Sequence, residues 1–317
     1  MPANATPHET PVASRLTISN RLTGTQSEFC VLQGKIIDAT CDTRAMRRRP
    51  FRECRLCRTA ALLCHSHLMP AAVYRTLRSR RVGSKPDPMT FGRGFAYQSS
   101  EQFVDYLLCE ACEDRIRRRG EDWVLANCLR PGGAFPILEI LRAAHPTWQD
   151  EDIRTYSAAR ITEIDSDSLI YFATSVFWRA AAHTWRIRRR SVHIDLGPYE
   201  ADFRAFLLGQ VQFPQNAAIV VAVLERGGEF AVSPWSRNDQ GYHDHNFTIP
   251  GLTFMLYLGG RVPQECLEMS LAPSPERHIF IYPRAENIHI AHLAGLYRRE
   301  RRRQEVRSQI GSTPDVL

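Results

Sequence analysis

Two Cys-x-x-Cys pairs constrain this chain more than any other feature. Cys54-Arg55-Leu56-Cys57 and Cys109-Glu110-Ala111-Cys112 are separated by 51 residues. A Cys-x-x-Cys turn aims both sulfurs at one centre, and two such turns build a tetrahedral four-sulfur cage. Thiolates are soft ligands that suit zinc or an iron–sulfur cluster and suit magnesium poorly. The pairing therefore predicts a closed, structural Zn2+ site of Cys54, Cys57, Cys109 and Cys112. Two disulfides would need an oxidising compartment, and no apolar signal-peptide core precedes Arg15. A redox pair would account for one motif and leave the other idle. Cys30, Cys41, Cys64, Cys128 and Cys266 have no comparable spacing and read as free thiols.

A chain of 317 residues with 44% apolar content has ample material for a core. Its longest apolar runs, such as Ala217–Leu224 and Phe254–Leu258, are strand-sized, far short of a membrane span. The expectation is a soluble, cytoplasmic protein with no membrane partner. Net charge is +7, and 39 of the 41 basic residues are arginines. Residues 41–130 hold 18 Arg and Lys against 10 Asp and Glu, so the excess positive charge lies around the cysteine motifs. Such a basic segment invites a nucleic-acid partner.

In chain order, residues 1–27 lack periodicity and read as a disordered arm. Phe29–Ile37 suits a strand, and Arg44–Pro50 a basic linker. Ala60–Leu68 reads as a strand, Ala71–Arg81 as an amphipathic helix, 82–100 as a loop and Phe103–Leu108 as a strand delivering Cys109. A helix is expected from Cys112 to about Leu129. Residues 136–190 read as helical: Phe135–Ala144, then Trp148–Ala158 capped by Asp150, then a long buried helix Leu169–Arg190 behind the capping sequence Asp165-Ser166-Asp167. After a helix at Tyr199–Leu208 the pattern turns to strands: Ala217–Leu224, Phe230–Val232, Phe247–Ile249, Leu252–Leu258 and His278–Tyr282. A basic helix is expected over Ile290–Gln309. The fold class is α+β, divided as an arm (1–27), a zinc module with its linker (28–130) and an α+β part (131–317).

The motif order, Cys-x-x-Cys, then Ser66-His67-Leu68-Met69-Pro70, then Leu108-Cys109-Glu110-Ala111-Cys112-Glu113, resembles the HNH endonuclease superfamily, the ββα-metal nucleases. It is most similar to an uncharacterised bacterial HNH-like group with Cys-x-x-Cys, Ser-His-x-x-Pro and Leu-Cys-x-x-Cys-Glu, in which a segment like Tyr171–Ala180 also recurs. The superfamily resemblance spans residues 52–130. It implies a treble-clef zinc module in which His67 is the general base that activates water. It also implies a catalytic Mg2+ or Mn2+ held by the residue before that histidine and a polar residue after the last cysteine, for cleavage of DNA phosphodiesters. The chain departs from that pattern: Ser66 replaces the usual Asp or His, Glu113 the usual His or Asn, and Phe103-Val104-Asp105-Tyr106 the expected Asn. His65, on the same side of a strand as His67, or Asp105 or Glu113 would have to complete a metal site. Two readings stand side by side: an HNH-type endonuclease, and a catalytically degenerate zinc module that binds nucleic acid or a protein.

Phosphate contacts are expected from Arg75, Arg78, Arg80 and Arg81 after His67, and from Arg115 and Arg118, with Arg117 and Arg119, after Cys112. In a treble clef both clusters should flank the His67 cleft. The runs Arg186–Arg190 and Arg298–Arg303 read as solvated helix ends. Gly241–Asn246, with two histidines and an aspartate, reads as a polar turn, and Trp178 and Trp185 as core.

Overall fold

A computed structural model of the chain describes residues 14–19, 26–32, 35–38, 49–79, 89–92, 95–98, 101–151, 153–187, 190–226, 230–239 and 241–282; within 14–38, 78–79, 89–98 and 238–239 it describes the backbone alone. Two compact units result, 1–49 and 50–317. The first holds an antiparallel three-stranded sheet of β1 (Ser14–Ser19), β2 (Gln26–Leu32) and β3 (Lys35–Asp38). Residues 14–19 and 26–27 are thus strand within the stretch expected to be a disordered arm.

In the second unit, β4 (Phe51–Glu53), β5 (Ala60–His67) and β8 (Val104–Cys109) form one sheet in the order β4-β5-β8. Between β5 and β8 lie α1 (Ala71–Ser79), opened by Pro70, and the strands β6 (Met89–Gly92) and β7 (Phe95–Gln98). A loop was expected over 82–100; two four-residue strands form there instead.

From β8 the chain enters α2 (Glu110–Ile116), widens into a π turn at Arg117–Glu121 and continues as α3 (Asp122–Asn127). Gly120 explains why the π turn can sit where it does: a Cβ there would lie 2.9 Å from the backbone nitrogen of Phe172. Helix α4 (Pro136–Ala143) then leads to β9 (Trp148–Gln149) and β10 (Arg154–Ser157), and so contradicts the helix expected over 148–158. Asp150 is equally suited to cap a turn: its side chain accepts from the Ile153 N–H at 2.7 Å, closing the β9–β10 connection.

Helix α5 (Ser166–Ala182) is the central packing element. Asp165 caps it by accepting from the Ser168 N–H at 2.9 Å. It is apolar around nearly its whole circumference, as a fully enclosed helix must be. It ends eight residues before the expected Arg190. The chain turns into the hairpin β11 (Trp185–Ile187) and β12 (Arg190–Val192), where burial alternates: Trp185, Ile187, Val192 and Ile194 are inside while Arg186, Ser191 and His193 are outside.

Helix α6 (Tyr199–Leu208) leads to β13 (Ala218–Leu224), β14 (Ala231–Asp239), β15 (Tyr242–Ile249), β16 (Leu252–Leu258), the short helix α7 (Gln264–Glu268) and β17 (His278–Tyr282). The sheet order is β7-β6-β14-β15-β16-β13-β17-β10-β9. Phe172 and Phe177 of α5 meet Phe247 and Phe254 of β15 and β16, with Phe177–Phe247 centroids 4.9 Å apart. Residues from the β4-β5-β8 sheet and from the large sheet belong to one continuous core, with α5 between. Strand β15 covers most of the polar turn expected at 241–246. Among the described residues no helix is long and apolar enough to cross a membrane. The expected helix at 290–309 lies outside the described residues.

Candidate metal centre

The first knuckle is a tight turn after β4. The Cys54 N–H donates to Thr59 O and the Arg58 N–H to Cys54 O, both at 2.9 Å, with Arg58 in the left-handed region at φ +64°. The Arg55 N–H reaches Leu107 O at 3.1 Å and so stitches the knuckle onto β8. Arg204 of α6 braces it from outside, donating to Leu56 O at 3.1 Å. The second knuckle is the β8–α2 junction, where Cys109 ends the strand and Cys112 lies buried in the first turn of the helix. The sequence spacing is thereby converted into proximity: the four sulfurs all lie within 4.8 Å of one another, and Cys57 and Cys109 are 3.8 Å apart.

Ligands about 2.3 Å from one zinc ion would stand roughly 3.8 Å from each other, so the spacing suits a shared metal. The electrostatics suit it too. The Cys54 thiol is drawn well below its usual range, to about 4, by the hydrogen bond from Cys112, against the opposing effect of burial. Backbone N–H groups add to this, including that of Cys109 at 3.3 Å from the sulfur. Cys112 is driven up by giving its hydrogen to Cys54, and Cys109 by burial. A divalent cation among them would stabilise all four as thiolates. These four residues can therefore hold a metal ion such as zinc, and among the described residues they are the one such group of His, Cys, Asp or Glu.

The residues flanking the cage separate into two faces of β5. Ser66 is fully buried. It donates from Oγ to Glu113 of α2, and accepts from the Leu108 N–H at 3.1 Å. His65 and His67 alternate with it and so project from the opposite face. His65 packs on Tyr106 with ring centroids 4.6 Å apart. Burial, then the nearby Arg179 charge, holds His67 below the usual histidine range. Asp105 pairs with His183 at 2.8 Å. The structure thus brings Ser66 to Glu113 but brings neither His65 nor His67 to that pair.

The arginines are dispersed. Arg75 is exposed on α1; Arg78 is described only as backbone, and Arg80 and Arg81 lie outside the described residues. Arg115 donates to Leu208 O at 3.0 Å, and Arg119 lies 4.6 Å over the Tyr171 ring, so both lead toward α5 and α6. Arg117 and Arg118 pair with Asp114.

Sequence reasoning missed Arg179, which is 1% exposed and ties three elements together. It donates to His67 O at 2.9 Å and to Glu121 at 2.8 Å, while its own carbonyl accepts from Trp185 Nε1. A lone charge inside the apolar run Leu169–Trp185 was the available signal. Likewise His245, expected in a polar turn, is fully buried in β15, its Nδ1 2.6 Å from Ser236 Oγ. No family model, no curated protein and no solved structure matches this chain.

Proposed function

We propose that the chain is an HNH-like, treble-clef zinc protein that binds nucleic acid, and that its HNH-like residues serve architecture in place of phosphodiester cleavage. The observation that carries this reading is the hydrogen bond from Ser66 to Glu113. The resemblance assigns these two positions to a catalytic metal, yet each is the other's partner. A hydroxyl and one carboxylate make a poor site for Mg2+ or Mn2+, which favours several oxygen ligands. Asp105, the nearest further carboxylate on the paired strand, is engaged by His183. Zinc is the metal of choice for the cage because four thiolates close the coordination sphere and leave no position for a substrate.

The nucleic-acid partner is supported by charge. Residues 41–130 carry eight more basic than acidic groups, and a Zn2+ with four thiolates subtracts two, which leaves a basic segment. Contacts of this kind hold a phosphate backbone without selecting sequence. Against the endonuclease reading stands the Ser66–Glu113 pair; in its favour stands the presence of His67 at the general-base position that the resemblance implies.

The test is a duplex-DNA binding titration over a range of salt, beside a plasmid-cleavage assay with Mg2+ or Mn2+ for wild type and His67→Ala. Binding should weaken steeply with salt, and Arg75→Gln with Arg118→Gln should flatten the slope by about 2. No nicking should appear in either protein. Cleavage that disappears in His67→Ala would establish the endonuclease instead. Absence of salt-dependent binding to DNA would refute the nucleic-acid partner.

A further inference from the structure

The first knuckle, the start of β8, the end of α5 and the β11–β12 hairpin enclose an open cleft of about 450 Å³, lined by Arg55, Asp105, His183, Thr184, Arg186 and His193 beside Ala181 and Ala182. Each lining group is held there by its own element. Arg55 sits in the Cys54–Cys57 turn and is anchored through its N–H to Leu107 O. Asp105 belongs to β8. The alternation of the hairpin buries Trp185, Ile187, Val192 and Ile194, which leaves Thr184, Arg186 and His193 exposed. The arginine run read from sequence as a helix end thus supplies one side of a cleft.

The charges in it are unevenly committed. Asp105 is engaged by His183 Nε2 at 2.8 Å, which fixes the imidazole and leaves its Nδ1 without a described partner. No side chain among the described residues pairs with Arg55 or Arg186. Two guanidinium forks and the His193 ring offer more donors than the two oxygens of a carboxylate can accept, whereas a phosphate group presents three or more oxygens. The apolar lining is two alanines, so the cleft has little with which to recognise anything but the charged group.

We propose that this cleft is a phosphate-binding site in which Arg55 and Arg186 hold the phosphate oxygens and His193 adds a further donor, while His183 is held in place by Asp105. It uses neither Ser66 nor Glu113 and needs no second metal. Two sources of phosphate fit this chemistry, a strand of nucleic acid passing through the open cleft and a small phosphorylated molecule; the first deepens, and rests on, the nucleic-acid reading above.

The experiment uses the full zinc-loaded chain and two probes. A fluorescent twelve-nucleotide single strand is titrated by anisotropy, and inorganic phosphate is titrated while the histidine ring signals are followed by NMR. Variants are Arg55→Gln with Arg186→Gln, and a control with the same charge loss outside the cleft, Arg52→Gln with Arg226→Gln. All four arginines are surface residues, and circular dichroism checks the fold. A loss of oligonucleotide affinity of about tenfold or more in the cleft variant, with little change in the control, supports the site with a nucleic-acid source. If the wild type ignores the oligonucleotide but phosphate shifts ring signals, and the cleft variant abolishes those shifts, the site stands with a small-molecule source and the nucleic-acid reading falls. Equal oligonucleotide binding by wild type and cleft variant overturns the site and leaves that reading intact. No response to either probe overturns the site.

Discussion

Arg179 of α5 and Glu121 at the end of the π turn form an ion pair at 2.8 Å, with the Arg179 side chain almost wholly enclosed. The same guanidinium donates to the carbonyl of His67, so one side chain joins β5, the helix after the second knuckle and the core helix. Removing one partner of such a pair leaves the other buried and uncompensated, at about 3–5 kcal/mol. Arg179→Met should lower unfolding free energy by an amount in that range. Adding Glu121→Gln should recover part of the loss, a coupling that chemical denaturation of the double-mutant cycle measures.

The Ser66 hydroxyl serves two groups at once, as donor to Glu113 and acceptor from the Leu108 N–H. Ser66→Ala strips a partner from both, and the stranded groups should cost about 1–3 kcal/mol. Thermal denaturation should show this drop while zinc content stays at wild-type level, since no sulfur ligand is touched.

Gly120 lets the π turn approach α5 closely. The added methyl of Gly120→Ala would meet Phe172 backbone nitrogen at 2.9 Å, and backbone cannot swing aside as a side chain can. Overpacking of this kind costs about 1–3 kcal/mol. The same substitution at Gly133, which has nothing within 4 Å of a Cβ but a φ of +94°, tests strain without contact.

His245 gives the fold a pH dependence. Burial, followed by the charge of His243, lowers it from 6.5 to about 4. Above pH 6.5 both folded and unfolded chains hold it neutral. Below 6.5 the unfolded chain takes up a proton that the folded chain refuses until about pH 4, so stability falls across that window by about 3 kcal/mol. In His245→Asn the slope of unfolding free energy against pH between 6.5 and 4 should be clearly shallower. An unchanged slope would mean that His245 is not the group responsible.

What could be read in advance depended on how local the signal was. The cysteine cage was legible because two knuckle turns need only four residues each, and α5 because Asp165 and a long apolar run announce it. Its end was not legible: Trp185 stands seven residues after Trp178, two helical turns, yet Trp185, Ile187, Val192 and Ile194 fit a strand as well. Asp150 caps a helix or a turn with the same side chain, and one of the two partners of β10 is β17, more than a hundred residues away. The lone charge of Arg179 was visible in the apolar run, but its partner Glu121, 58 positions earlier, was set by packing alone. Nothing local marked Ser66 and Glu113 as partners of each other, because the bond depends on how α2 leaves β8.

The central claim is that Cys54, Cys57, Cys109 and Cys112 share one zinc ion. X-ray absorption at the zinc edge of the purified chain, with metal content measured on the same sample, addresses it most directly. One zinc per chain with four sulfur neighbours at about 2.3 Å, lost in Cys109→Ser together with folded structure, is the predicted result. A zinc shell containing nitrogen or oxygen ligands, or a Cys109→Ser chain that keeps both its metal and its fold, would contradict it.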